Sequence, residues 1–277
     1  MINADFVKAE TLRLPHHAKL AITVVGLGGT GSWLASSVVR IARRLQELGK
    51  PTSITFVDPD IVEPGNVGRQ CFCDAEIGLN KASTLALRYS LAWGMTIRAI
   101  ARSFRSSMVH SDSSTFSVVI GCVDNASARQ EISKVLSNQW SFEGLPKVCY
   151  IDCGNHSSSG QVLIGTSNSI DSGDYKFSQI GCTRLPSPTI QHPELLIPRP
   201  EELTDNNLSC EQLAVQNIQN LDINQQVAAI ATSYLLKITT GNLKQFATYF
   251  DTEAGSCRSV YITEENVAKV FRQSIQA

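Results

Sequence analysis

The feature that most restricts the fold is Gly26-Leu27-Gly28-Gly29-Thr30-Gly31, set directly behind a short apolar run at residues 21–25 (AITVV). Glycines 26, 28 and 31 fit the G-x-G-x-x-G spacing: the first permits a tight strand-to-helix turn, the second a close backbone approach, the third close helix packing. Behind the turn, Trp33, Leu34, Val38, Ile41, Ala42 and Leu45 recur at helical spacing until Gly49-Lys50-Pro51 ends the pattern. Residues 53–57 (SITFV) then read as a second buried strand, closed by Asp58-Pro59-Asp60. Strand, glycine turn, helix and strand make a βαβ unit, with parallel strands and a right-handed crossover. Its helix N-terminus offers free N–H groups and a positive dipole end to a phosphate. An ordinary glycine turn satisfies the same spacing, so the motif alone names no cofactor.

The alternation continues. Residues 80–93 read as a helix, 96–101 as a strand, and 116–122 (FSVVIGC) as an apolar strand ending in Val123-Asp124-Asn125. A helix follows over 126–138, then strands over 147–152 and 160–165. This order predicts an α/β fold: a doubly wound, Rossmann-like, mainly parallel sheet with helices on both faces. From 166 to 209 the pattern fails, and Pro186, Pro188, Pro193, Pro198 and Pro200 fall there. An irregular stretch this long is commonly a functional crossover or a mobile lid. Helices are expected at 211–220 and 223–239, antiparallel strands at 246–251 and 257–262, and a short helix from Glu264. The expected organisation is one domain over 1–277: a nucleotide-binding core (21–165), a crossover loop (166–210), and C-terminal helices and strands (211–277).

Composition narrows the function. With 24 basic and 25 acidic side chains the net charge is −1, which argues against a nucleic-acid backbone binder. A hydrophobic share of 43% supports a packed core and excludes disorder throughout. No apolar run reaches the ~18 residues of a membrane helix, and MINADFVKAETLRLPHH lacks the apolar centre of a secretory signal. A cytoplasmic location without membrane contact is therefore expected, with the eight cysteines reduced. No C-x-x-C pair occurs, so zinc has no sequence support.

Residues after the second strand bear on which nucleotide is bound. Asp58 is placed to accept ribose hydroxyls, a role shared by NAD and ATP sites. The chain continues through Asp60, Glu63, Asn66, Arg69 and Gln70 to Gly78-Leu79-Asn80-Lys81. Arg69 and Lys81 can bring two cations to a polyphosphate. Asp124 follows another strand's carboxyl end, where ligands of open α/β sheets bind. A single carboxylate beside a triphosphate suits Mg2+, which prefers oxygen ligands and substrate phosphates. An NAD(P)-dependent oxidoreductase is the alternative on the same glycine turn, although nothing resembles a hydride-transfer acid–base residue.

G-x-G-G-x-G, D-x-D-x-V-E-x-x-N-x-x-R-Q, G-x-N-K and C-V-D-N-x-x-A-R, in this order and spacing, resemble the ThiF/MoeB/ubiquitin-activating superfamily, from about residue 21 to 165 and more weakly to 240. The narrower resemblance is to the ThiF-related family of plasmid PRTRC cassettes, which occur beside ubiquitin-like and JAB-type protease genes. The resemblance implies an adenylyltransferase that uses ATP and Mg2+ on the C-terminal carboxylate of a ubiquitin-like or sulfur-carrier (β-grasp) protein; some members adenylate a small molecule or tRNA instead. Carried over by motif, Gly26, Gly28, Gly29 and Gly31 form the nucleotide turn and Asp58 holds the ribose, with Asp60 beside it. Asn66, Arg69 and Lys81 bind phosphates, Gln70 lies beside them, and Asp124, next to Asn125, binds Mg2+.

Many members also hold a thiol in the crossover. Asn207-Leu208-Ser209-Cys210 occupies that place, and a thiolate there could attack the acyl-adenylate to give a thioester. An inert cysteine is the competing reading, and adenylation does not need it. Cys182 sits where relatives begin a zinc pair, but its partner position is Leu185. Cys71 and Cys73 are expected to pack, and His156 and His192 to face solvent or form hydrogen bonds. Superfamily sites are often completed by an arginine from a second subunit; Arg13 is the candidate, implying a homodimer.

Overall fold

The computed structural model describes residues 4–15, 19–109, 112, 114–137, 144–156, 158–169, 177–178, 181–198, 202 and 221–276. The expected βαβ opening is present. After a short helix α1 (Ala4–Lys8) come β1 (Lys19–Val25), α2 (Gly29–Glu47) and β2 (Thr52–Val57). The chain continues through α3 (Lys81–Trp93), β3 (Ile97–Ile100), β4 (Thr115–Gly121), α4 (Ala126–Ser133), β5 (Val148–Asn155) and β6 (Ser159–Gly165). A two-residue pair β7 (Phe177–Ser178) and β8 (Gly181–Cys182) leads to α5 (Pro188–Gln191). The C-terminal part holds α6 (Leu221–Thr239), β9 (Gln245–Asp251), β10 (Ser256–Tyr261) and α7 (Glu264–Gln276).

Eight strands form one sheet in the order β10-β9-β6-β5-β4-β1-β2-β3. β1 lies between β2 and β4, parallel to both, with Val25 level with Val57 and Gly121. β3 and β5 extend the parallel block on its two sides. The antiparallel part begins earlier than the C-terminal hairpin, because β6 already runs against β5. Only three residues separate those two strands, and a parallel return needs a crossover of a dozen or more. β9 then pairs with β6 and β10 with β9, both antiparallel.

Alternating strand residues fill two layers. Ile22 and Val24 of β1, with Ile151 of β5, face Leu34 and Val38 of α2, Leu85 of α3 and Leu235 of α6. On the other face, Val25, Val119 and Tyr150 meet Ile132, Val135 and Leu136, from α4 and the 3-10 turn after it. The helix expected to reach residue 138 is α-helical only to Ser133 and then tightens over Lys134–Leu136.

The described part of the crossover is more ordered than a lid. Thr166 and Ser167 both donate their N–H groups to the Leu185 carbonyl, and Cys182 exchanges backbone bonds with Thr11 and Arg13. Cys182, Leu185 and Ser187 are fully buried. Pro186 and Pro188 therefore belong to a strap pinned at the end of β6. The helix expected at 211–220, and Cys210, lie outside the described residues.

One polar cluster interrupts the thinner layer. Arg129 of α4 donates from Nε to Asp152 Oδ1 at 3.2 Å, and the Tyr150 hydroxyl donates to the same oxygen at 2.5 Å. All three side chains are buried. Burial alone lowers the Arg129 pKa, but the Asp152 charge reverses this and leaves it raised. Removing one partner of such a pair strands a buried charge, at about 3–5 kcal/mol. Arg129→Met is expected to destabilise the fold by that amount, read as a lower urea midpoint at unchanged slope. Arg129→Met combined with Asp152→Leu is expected to recover most of the loss.

Candidate functional site

The carboxyl ends of β1, β2, β4 and β5 open into a crevice of about 880 Å3, within the roughly 300–1,000 Å3 range of small-molecule sites. The glycine turn forms its floor. Gly26 has φ +82°, and a Cβ there would lie 2.6 Å from the Cys122 carbonyl oxygen. A Cβ on Gly31 would stand 1.9 Å from the Gly26 carbonyl oxygen. Gly26 and Gly31 therefore serve the turn and the packing of α2 on it. Gly28 and Gly29 line the crevice itself. Gly28 is the N-cap of α2, whose 19 residues begin without a side-chain cap, so the first N–H groups face the crevice as an anion site.

Asp58 directly follows β2 and is 3% exposed. It accepts the Leu27 N–H on Oδ2 and the Asp60 N–H on Oδ1 at 2.8 Å, tying the glycine turn to β2. Burial raises its pKa above the ordinary value, against the lowering by those two donors. Asn80 bridges the carbonyls of Asp58 and Asp60, each at 2.9 Å, and caps α3 through Ser83 N–H. That cap brings Lys81 into the crevice, where its buried ammonium lies 3.4 Å from the exposed Asp60 carboxylate.

The segment after β2 returns along the crevice. Asn66 Oδ1 accepts the Glu63 N–H at 3.0 Å, Arg69 Nε donates to the Gly65 carbonyl at 2.8 Å, and Trp33 of α2 donates to the Arg69 carbonyl at 3.4 Å. Gln70 is buried, and its Oε1 has no partner among the described residues. Further on, the Glu76–Arg88 pair, with Arg88 donating to the Cys71 carbonyl, holds the segment to α3.

Across the turn, Asn125 caps α4 through Ala128 N–H at 2.8 Å and lies 3.3 Å from Asp124, which is exposed at the rim. Among the described residues no three His, Cys, Asp or Glu side chains form a metal cluster. A lone carboxylate fits Mg2+, which binds through one or two carboxylates plus phosphates and water. The uncapped helix and the cations fit a nucleotide phosphate chain, whereas the unpaired Gln70 oxygen can only accept, and so suits a donor group rather than a phosphate.

The sequence profile of the ThiF family matches residues 5–164, more than half of the chain. The chain belongs to the ThiF family. No curated protein gives a significant sequence match. Similar solved structures include E. coli MccB with AMPCPP and MccA (TM-score 0.56, 15% identity, 89% of this chain, 64% of that one). E. coli MccB with ATP has TM-score 0.53 at 13% identity over 87% of this chain and 63% of that one. PaaA has TM-score 0.53 at 17% identity over 89% and 65%. At these identities the likeness establishes the fold, and the chain spans just under two thirds of each of those structures.

Within this ThiF-family crevice the sequence-predicted residues Asp58, Asp60, Asn66, Arg69, Gln70, Lys81, Asp124 and Asn125 stand together with Gly26, Gly28 and Gly29. Arg13 does not join them. It lines a separate cavity of about 210 Å3 with Lys50, Leu20 and Phe116, at the amino ends of the strands. Cys182 donates from Sγ to the Arg184 carbonyl, and burial pushes its thiol up to about 12. Cys71 is half-buried as expected, whereas Cys73 is exposed and does not pack. His192 bonds Tyr249 and Glu194, at 2.6 and 2.7 Å. Among the described residues no helix is long and apolar enough to cross a membrane.

Sequence reasoning missed Arg105, Asn155 and Asn224, which also line the crevice. It missed the meeting of Cys122 and Cys153 on the floor too, where a side-chain hydrogen bond between the two thiols, together with burial, holds the Cys153 thiol well above its ordinary range. No local motif marks these positions; the β4–β5 register, with Gly121 level with Asp152, sets the thiols side by side. Gly31→Ala is the sharpest test of the floor. Its methyl has no room against backbone, so it is expected to cost at least about 1–3 kcal/mol, visible as a lower thermal midpoint.

Proposed function

We propose that the protein is an ATP- and Mg2+-dependent adenylyltransferase acting on the C-terminal carboxylate of a ubiquitin-like or sulfur-carrier protein. The observation that carries this reading is the convergence of the uncapped α2 N-terminus, the buried Lys81 ammonium, Arg69, Asp58 and Asp124 on one crevice. Asp58 holds the ribose. Lys81, Arg69 and the α2 N–H groups take the phosphates, with Asn66 and Gln70 at their side. Asp124 would hold Mg2+, which when bound would supply neutralising charge to the phosphate chain. A substrate carboxylate oxygen attacks the α-phosphorus; the new O–P bond forms as the α–β anhydride bond breaks, and pyrophosphate leaves with the electron pair. No proton moves, so positioning and charge neutralisation supply the catalysis. The PRTRC resemblance supports a ubiquitin-like partner, and the structures of MccB with ATP and with AMPCPP and MccA support an adenine nucleotide used together with a second substrate.

The resemblance supports a homodimer; Arg13 stands at the far end of its own sheet from the crevice, so it could complete a site only in a second copy. Cys210 is proposed as a thioester nucleophile after adenylation.

Radiolabelled pyrophosphate exchange with Mg-ATP and a glycine-terminated β-grasp carrier tests the reading, and absence of exchange overturns it. Lys81→Ala and Asp124→Ala are each expected to reduce exchange by about 10²-fold or more. Cys210→Ala should spare exchange and remove a DTT-sensitive carrier conjugate; conjugates that persist exclude the thioester.

Asp58 gives the reaction a pH signature. The ionised carboxylate accepts the ribose hydroxyls, and burial raises its pKa. ATP affinity is therefore full above the raised value and lost as pH falls through it, at a higher pH than for an ordinary aspartate. Asp58→Asn is expected to weaken ATP binding and flatten this acid limb in calorimetric titrations.

A further inference from the structure

Two thiols meet on the floor of the crevice. β4 and β5 run parallel with Gly121 level with Asp152. The next residues, Cys122 directly after β4 and Cys153 within β5, therefore stand side by side, and both line the crevice. They share a face of the sheet: Cys153 belongs to the layer under α2, with Ile120 and Ile151, and Cys122 packs against it. A side-chain hydrogen bond joins the two thiols, and neither is in a disulfide. Among the described residues the other strand cysteines have different partners: Cys149 is level with Val118, Cys182 with Phe177 and Cys257 with Phe250.

This placement suits a bond between them. Neighbouring strands lie about 4.8 Å apart, inside the roughly 4.4–6.8 Å over which a disulfide joins two Cα atoms. Cys122 is half-buried and Cys153 is buried, so a small disulfide entering the crevice meets Cys122 first. Cys122 is also wedged against the glycine turn. Its N–H donates to the Val25 carbonyl at 2.8 Å, and its carbonyl oxygen lies 2.6 Å from where a Gly26 Cβ would stand. Its own Cβ would lie 3.3 Å from a Cβ on Gly31, and Asp124 follows two residues later. A disulfide holds its Cβ atoms about 3.8 Å apart, about 1 Å less than the strand spacing. Closing the bond thus draws residue 122 toward β5, and the floor of the turn and Asp124 are displaced with it.

We propose that Cys122 and Cys153 form a reversible disulfide that lowers the affinity of the crevice for Mg-ATP. Cys122 Sγ attacks one sulfur of a small-molecule disulfide such as oxidised glutathione. A mixed disulfide forms as the S–S bond of the small molecule breaks, and the released thiol takes the Cys122 proton. Cys153 Sγ then attacks Cys122 Sγ; the protein S–S bond forms, the mixed bond breaks, and the second small thiol leaves with the Cys153 proton. The protein pair is oxidised by two electrons and the small disulfide is reduced to two thiols. The effect on Mg-ATP rests on the reading of the crevice as a nucleotide site; the cross-link itself does not.

The test equilibrates the full chain with oxidised and reduced glutathione, maps cysteine links by mass spectrometry without reductant, and titrates Mg-ATP calorimetrically. Oxidised wild-type protein is expected to carry a Cys122–Cys153 link. It should bind Mg-ATP about tenfold or more weakly, since a displacement of about 1 Å is costly in such sites, and dithiothreitol should restore the affinity. Cys122→Ala removes the attacking thiol, and its affinity after oxidation should stay within about twofold of its own untreated value. Cys153→Ala is expected to stop at a glutathione adduct on Cys122. By linkage, Mg-ATP should shift formation of the link to a more oxidising glutathione ratio. No link between these two residues, a link without loss of affinity, an equal loss in Cys122→Ala, or a Cys153→Ala protein without the adduct each overturn the proposal. Reduced wild-type protein that binds no Mg-ATP fails the nucleotide reading, and the switch falls with it even where the link forms.

Discussion

The crevice exists because α2 approaches β1 more closely than any side chain permits. The carbonyl of Gly26 occupies the space that a Cβ of Gly31 would need, and Gly26 itself presses on the Cys122 carbonyl from a left-handed turn. That contact aims an uncapped helix start over the carboxyl edge of the sheet. Asp58 secures it from the other side by accepting the Leu27 N–H, so the turn is fixed between β2, β1 and the end of β4. The other groups of the crevice are arranged around that geometry: Asn80 hangs from the carbonyls of Asp58 and Asp60, and Lys81 follows from the cap that Asn80 supplies.

Most of this was legible in the chain because it is local. Gly26, Asp58, Asn80 and Lys81 belong to turns and caps whose hydrogen bonds span a few residues or adjacent parallel strands, and such features leave fixed spacings in sequence. The reversal at β6 was less legible, since residues 160–165 read as a strand whichever way they run. Only the shortness of the gap before them carried the direction, and it narrows to three residues in the structure because β5 runs on to Asn155. The crossover illustrates the opposite limit. Its prolines signalled irregular backbone correctly, but its burial depends on bonds from Leu185 and Cys182 to segments far away in the chain, and no composition encodes those partners.

Asn224 shows why half of a site can escape sequence reasoning. It is the fourth residue of a helix that opens outside any motif, and its place against Gly29 is set by the packing of α6 on α2. An asparagine early in a helix reads as a capping or surface residue. Its two hydrogen bonds reach residues 194 and 69 positions away. Cys122 and Cys153 are hidden for the same reason, because strand register rather than spacing unites them.

The overall charge of −1 also conceals how the crevice is prepared for an anion. Lys81 is 6% exposed, so its ammonium was desolvated when the chain folded. The buried charge is tolerated because Asp60 stands 3.4 Å away, yet that carboxylate side chain is 64% exposed and makes only a long, water-screened contact. An anion entering the crevice therefore meets an ammonium that has already lost most of its water, and competes for it only with a weakly held partner. Much of the desolvation cost that normally opposes charge–charge binding is thus incurred in folding, and the stability of the βαβ unit supports it.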